Sequence, residues 1–466
     1  MEKSQRMAKA NLRFCLLFFW GGGMKWLAFL AEGVCGVVTP LLLFGVGLFL
    51  LFALKAFHLR HPLGCLRYAG EGKGKKAALR SFCMALGGTL GVGNISGVAL
   101  ALMYGGAGSL LWMWLSALVA MLIKYAEILL ALQYSKNSTR ALPHRSLGYI
   151  WGNIKRGAGV LSAVFCVATL LTSLFLGGMM QSNAVAETFS DTFKISPVLV
   201  GVFLFLLTIV VIFGGGKRIS SVTFALIPFA TFLYILLCLG VVATRMRQIP
   251  AVLSSIFSSG LSFKAAEGGV LGYGLVRAIQ AGAKRGLLSN EAGCGTAPIA
   301  HATATDAFPP RQGIWGIFEV FVDTLLLCTL TGLAVLLAFP SLPQNMGGME
   351  TVGAALRTVW GKFADPLLAF SVLLFAFATV ICWSYYGSVA LSVFTSSPSA
   401  QKGFRILFSV SVLLGATTAP APLWHITDIL LAVMTAVNLY ALVRHRQTLR
   451  DSLLDLPFLQ KNSGKP

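Results

Sequence analysis

Long apolar runs with almost no charge set the strongest limit on how this chain can fold. Thr39–Leu54, Val198–Phe213, Val222–Val242 and Leu367–Ile381 are of this kind. A helix that crosses a bilayer needs about 20 such residues. Barrel strands would alternate polar and apolar residues along each segment, and these runs do not. Only 11% of the 466 residues are charged, and 56% are hydrophobic. A soluble domain carries about 25% charged residues. The class is an all-α integral membrane protein.

Eleven spans can be read, near 36–54, 81–104, 110–132, 158–186, 196–213, 220–243, 268–299, 313–339, 366–389, 404–419 and 423–443. The formal net charge of +21 would suggest nucleic acid in a soluble protein. Here lysine and arginine collect in alternate loops (55–80, 133–157, 214–219, 300–312, 390–403 and the tail 444–466), which marks those loops and the C-terminus as cytoplasmic. The expected location is the inner cell membrane, with no nucleic-acid partner. Residues 1–35 read as an interfacial or signal-like segment, or as a twelfth span; Lys25 and its glycine neighbours argue against a clean span. The nine cysteines are scattered, with no metal-binding spacing.

One apolar segment is interrupted on purpose. Residues 89–97 read TLGVGNISG, although a glycine inside a helix costs about 1 kcal/mol against alanine. A second interruption, GLLSNEAGCGTAPIAHA, lies five spans later. An odd offset means that the second copy enters the membrane from the opposite side. Such paired breaks are the best sequence pointer to a transporter site. Unpaired backbone survives in hydrocarbon only where protein or a wet cavity satisfies it. Freed amides at Gly91–Asn94 suit a carboxylate, helped by the positive end of the next half-helix. Freed carbonyls suit a small hard cation.

GVGNISG has the spacing GxGxxxG and no βαβ context, so it is not a dinucleotide fingerprint. GKGKKAA and GGGKRIS lack the phosphate-loop order, with no Ser/Thr directly after Gly-Lys. No nucleophile–base or metal constellation appears, so the chain does not read as an enzyme. An ion channel would need a continuous pore and usually a filter built by oligomer symmetry.

Several blocks resemble the alanine/glycine:cation symporter family, which comprises sodium:alanine symporters within the amino acid–polyamine–organocation superfamily. They are the break itself, GGAGSLLWMWLSALVAMLIKYAE (105–127), MMQSNAVAE (179–187), KRGLLSNEAGCGTAPIAHA (284–302), RQGIWGIFEVFVDTLLLCT (311–329) and FAFATVICWSYYG (375–387). The resemblance implies a leucine-transporter-type fold. An extra helix at 36–54 would precede two inverted five-helix repeats at 81–243 and 268–443. It also implies symport of alanine or glycine with sodium as the co-transported ion and no other cofactor. Amides at Gly91 and Gly93 would hold the substrate carboxylate, with Asn94 and Gln181 near the amino group. Thr379 and Trp383 would share a helix face, Trp383 forming the wall that admits only a small side chain. Gly87, Leu90 and Thr379 would ligate the cation. Val92 and Ala378 replace hydroxyl residues common in the family, which leaves sodium and proton coupling open, as are serine, glutamine or D-alanine as substrates. Among ionisable residues, Asp323 is a candidate for gating or proton relay. Arg285 and Glu291 flank the second break as candidates for an inner gate. Lys124 and Glu127, three apart, are expected to pair with each other or to snorkel.

Overall fold

The computed structural model describes residue 26 and residues 29–71, 74–136, 146–152, 158–261, 270–304, 307–343 and 345–460. Residues 1–25 lie outside the described residues, so most of the segment expected to be interfacial or signal-like does too.

Among the described residues the chain is helical, with no strand. Helix α1 is Phe29–Ala53. Two short helices follow, α2 (Phe57–Arg60) and α3 (Pro62–Ala69). The first interrupted segment forms α4 (Lys75–Thr89) and α5 (Gly93–Gly105). Then come α6 (Gly108–Lys136), α7 (Tyr149–Gly152), α8 (Gly159–Phe193), α9 (Pro197–Ile212), α10 (Gly215–Thr244) and α11 (Ile249–Leu261). The second interrupted segment forms α12 (Val270–Asn290) and α13 (Ala297–His301). The chain closes with α14 (Pro309–Ala338), α15 (Gly348–Trp360), α16 (Ala364–Phe394), α17 (Pro398–Gly415), α18 (Pro420–Arg444), α19 (Arg446–Asp451) and α20 (Pro457–Gln460).

Each of the eleven expected segments therefore carries a helix or a broken helix. By length and apolarity, seven helices among the described residues are able to cross a membrane, or eight when the bent pair α4–α5 counts as one span. Helix α9 has only 16 residues, and neither α12–α13 nor α17 passes that test.

Helix α6 is the axis of the bundle. Its candidate span Gly108–Ser135 is 89% buried, against 33% for α10. Without a hydrophobic drive between helices in lipid, close packing depends on small residues at the crossings. Gly282 and Gly286 of α12 press on Ser109 and Ser116 of α6, and Gly313 of α14 presses on Tyr125. Apolar side chains cover the outside instead: Phe232 is 61% exposed and Leu206 56%, a lipid-facing surface.

The polar contacts sit inside. Lys124 Nζ meets Glu319 Oε1 at 2.7 Å with both side chains fully buried. The expected pairing of Lys124 with Glu127 is thus corrected. The facing helix α14 supplies a carboxylate in direct contact, and a buried ammonium needs such a partner.

The described part of the tail, up to Gln460, packs back on the bundle. Ser452 Oγ lies 3.2 Å from the Tyr125 hydroxyl, and the Phe458 ring packs near Phe57, His61 and Tyr68. It thereby fastens α2 and α3 to the end of the bundle.

Substituting Gly286 by leucine forces a side chain into Ser116 and Met113 and is expected to cost about 1–3 kcal/mol. Its melting temperature in detergent should fall. Gly403, with open space around it, should accept alanine without loss; equal melting temperatures for Gly286→Leu and wild type would contradict this packing.

Candidate functional site

Helix α4 stops at Thr89 and α5 starts at Gly93, with a bend of 59° between them. A continuous helix would send the Gly91 amide back to the Gly87 carbonyl. Here Gly91 N donates instead to Asn94 Oδ1 at 3.2 Å. Val92 N donates to Gln181 Oε1 at 3.5 Å. The Leu90 carbonyl accepts from Thr379 Oγ1 at 3.2 Å, and the same hydroxyl reaches Phe375 O of its own helix at 3.1 Å. The break is therefore capped by side chains from three helices, as buried backbone requires.

Glycine is needed at 91 because the walls are close. A Cβ there would stand 3.0 Å from Gln181 Oε1 and 3.2 Å from Thr379 Oγ1. At Gly93 a Cβ would meet nothing within 4 Å, so that backbone faces open space.

The second interruption follows Asn290. Glu291 has φ +51°, and Gly293 and Gly295 have φ of +86° and +74°. The left-handed region is uncommon for a residue such as glutamate and marks strain held by its surroundings. Asn438 Nδ2 donates to Gly293 O at 2.8 Å, and Gly295 N donates to Glu127 Oε1 at 3.2 Å. The Thr296 hydroxyl donates to Glu291 Oε2 at 2.9 Å.

Asn94 joins the two breaks. Its Nδ2 lies 2.7 Å from Ser289 Oγ and 2.7 Å from Asp323 Oδ1. Asp323 Oδ2 accepts from Ser289 and Thr324, each at 2.8 Å. All four side chains are buried. The helices carrying Asn94 and Asp323 widen into π turns there, at Gly93–Gly97 and Phe321–Cys328, and a further such stretch, Ser173–Met180, ends just before Gln181. Such turns frequently occur at functional sites.

A cavity lies between the breaks. Its lining includes Gly91, Val92, Gly93, Gln181, Thr379, Ser289, Glu291, Arg285, Met180 and Trp424. Gly91, Gly93, Gln181 and Thr379 thus meet around one space. Asn94 borders it through Ser289. Gly87 packs one turn away, where a Cβ would stand 3.0 Å from Cys382 Sγ. Trp383 is not part of this lining. It is fully buried, with its ring 5.4 Å from that of Tyr386, and Gly177 leaves room for its base. Thr379 and Trp383 share a helix face, yet only the first reaches the cavity. The aromatic wall is Trp424, held under the Arg285 guanidinium at 4.7 Å. Beside it Lys284 pairs with Asp428 at 2.6 Å. Arg285 and Glu291 have separate partners.

Ser289, Thr324, Trp424 and Asp428 were not singled out by sequence reasoning. Ser289 had a signal, since it lies within the second interrupted sequence, GLLSNEAGCGTAPIAHA. Trp424 had none, because tryptophan near a helix end is ordinary at a membrane surface.

The arrangement offers backbone amides without a charged side chain on one wall. It adds two oxygen groups able to face a cation: Leu90 O with Thr379 Oγ1, and the Asp323 carboxylate with Ser289 and Thr324.

The sodium/alanine symporter AgcS of Methanococcus maripaludis is 33% identical over 435 residues, 88% of this chain and 92% of that protein. The probable sodium/glutamine symporter GlnT of Bacillus subtilis is 30% identical over 448 residues, 93% of this chain and 92% of that protein. The crystal structure of the Eremococcus coleocola manganese transporter shares the fold at TM-score 0.52 and 14% identity, with 84% of this chain and 87% of that chain covered. The family model described as the sodium:alanine symporter family matches residues 23–461. With paired breaks enclosing a cavity and a match over nearly its whole length, the chain belongs to the sodium:alanine symporter family.

Proposed function

We propose that this chain is a secondary active symporter that imports alanine or glycine together with sodium by alternating access. The observation that carries this reading is the contact of Asn94 with Ser289 and Asp323, which ties one broken helix to the other around a cavity rimmed by open glycine backbone. The carboxylate of the substrate would lie against the amides at Gly91 and Gly93, with Gln181 beside it. Sodium would take the Leu90 carbonyl and the Thr379 hydroxyl, compensating for the missing hydroxyls at Val92 and Ala378. The Asp323 group stands beside the same cavity as a second set of oxygens. Substrate and ion so close together raise each other's affinity by the same factor.

The architecture belongs to the same proposal. Eleven spans would comprise an extra helix at 36–54 and two inverted five-helix units over 81–243 and 268–443. Each unit would begin with its broken helix, α4–α5 and α12–α13. With the basic loops inside the cell, the C-terminus is cytoplasmic and the membrane is the inner one. The Arg285–Trp424 stack, before the second break, then closes the outer side of the cavity. The inner gate expected of Arg285 becomes an outer one. The relative named for glutamine keeps a larger substrate in view, and Trp424 and Met180 are the side chains that would decide.

Two outcomes test this. Replacing sodium by choline at constant pH should abolish uptake of labelled alanine into proteoliposomes; unchanged uptake would remove sodium as the driving ion. Asn94→Ala loses one hydrogen bond to a buried carboxylate, worth about 1.5–3 kcal/mol, and another to the Ser289 hydroxyl. Half-saturation by alanine or sodium should rise roughly tenfold or more, with membrane insertion intact. Wild-type kinetics in that variant would dissolve the site.

A further inference from the structure

Glu127 of α6 plays no part in the cavity, yet it is fully buried and braces the second break. Its Oε1 accepts two donors, Gly295 N at 3.2 Å and Asn438 Nδ2 at 2.5 Å. Its Oε2 has no hydrogen-bond partner among the described residues. No cation contacts it directly among the described residues, although the Lys124 charge acts on it through space. The nearest ammonium, Lys124, already sits 2.7 Å from Glu319 Oε1. The other groups facing Glu127 are acidic or neutral. On α14, Glu319 also holds His301 at 3.3 Å, and His301 Nδ1 lies 2.7 Å from Gln312 Nε2. On the break stand the Cys294 thiol and the Glu291 carboxyl, on α7 the Tyr149 phenol, and on α18 the Asn438 amide. The Gln312 amide nitrogen can only donate, so His301 accepts at Nδ1 and is neutral, with its proton on Nε2 toward Glu319.

An ionised carboxylate with one oxygen unpartnered, and with the nearby Lys124 charge already held by Glu319, is very costly in such a place. The lopsided hydrogen bonding fits the neutral acid. The oxygen that takes two donors is the carbonyl, and the bare oxygen carries the hydrogen. We propose that Glu127 is a proton-binding site, occupied while α6 and α18 clamp the second break and emptied when that break rearranges. In the emptying step the O–H bond at Oε2 breaks, the electron pair stays on the carboxylate, and the proton passes to water admitted on the opened side. The charge left behind then disfavours the closed clamp. On the transport reading above, this adds a proton to the cycle at a place separate from Asp323 and the substrate.

The test needs no substrate, so it can fail independently of that reading. The purified full-length protein is titrated from mildly acidic to alkaline pH while its protonated carboxyl band is followed by infrared spectroscopy. Wild type should keep a protonated carboxyl band at neutral pH, and Glu127→Gln should lose a one-residue share of it. From mildly acidic pH up to the pH at which the folded protein gives up this proton, the melting temperature of wild type should fall more steeply than that of Glu127→Gln, because the unfolded chain ionises the carboxyl while the folded one still holds it protonated. The variant preserves an oxygen for Gly295 and Asn438. An unchanged band in Glu127→Gln, or parallel melting profiles, would overturn the proposal. If the variant does not fold, Glu127→Asp takes its place: a shifted or lost one-residue share of the protonated carboxyl band relative to wild type supports the proposal, and an unchanged band overturns it.

Discussion

Backbone amides and carbonyls that leave the helical ladder inside a membrane must find partners, and this constraint organises the whole molecule. At residues 90–92 the partners are the side chains of Asn94, Gln181 and Thr379. Each comes from a different helix, so the break cannot exist unless α5, α8 and α16 are placed together. The same holds at the second break, where Glu127 and Asn438 bring α6 and α18 to Gly295 and Gly293. Each hydrogen bond contributes only about 1 kcal/mol net, but leaving one of these buried groups unmade costs about 1–3 kcal/mol. The site and the fold are therefore one structure.

That dependence also explains why the caps are suited to be replaced. A cap made by a neutral amide or hydroxyl satisfies the backbone without a fixed charge. On the proposed function, an incoming carboxylate or cation would take over the same groups at little cost. Asn94 illustrates this: its oxygen serves the first break while its nitrogen serves Asp323 and Ser289. A ligand that draws on one end of this side chain is felt at the other. Rigid packing of small residues against α6 carries such a displacement between helices, since packed interiors have little room to absorb it.

Much of this was legible in the sequence. Charge-free runs located the helices, and the glycines at 91 and 93 located the first break. The pair of interruptions identified the elements that would meet. Gln181 and Thr379 were found through resemblance, and both reach the cavity. Other features were not legible, for physical reasons. Spacing along one helix cannot say which neighbour a side chain meets, so Lys124 was expected to bond Glu127 and instead meets Glu319, more than 190 positions on. Position on a helix face cannot say how deep a ring is packed, so Trp383 was expected at the wall where Trp424 stands. The π turns leave no composition signal at all. Span counts depend on marginal segments such as α9 and α17, whose helices form but whose length or apolarity falls short.

The central claim is that unpaired backbone between the two breaks receives an amino acid and its ion. A structure determined in lipid with alanine and sodium present tests it most directly. The account predicts alanine with its carboxylate at the Gly91–Gly93 amides and an ion within coordination distance of the Leu90 carbonyl and the Thr379 hydroxyl. A continuous helix through residues 89–97, or alanine bound away from both breaks, would contradict it.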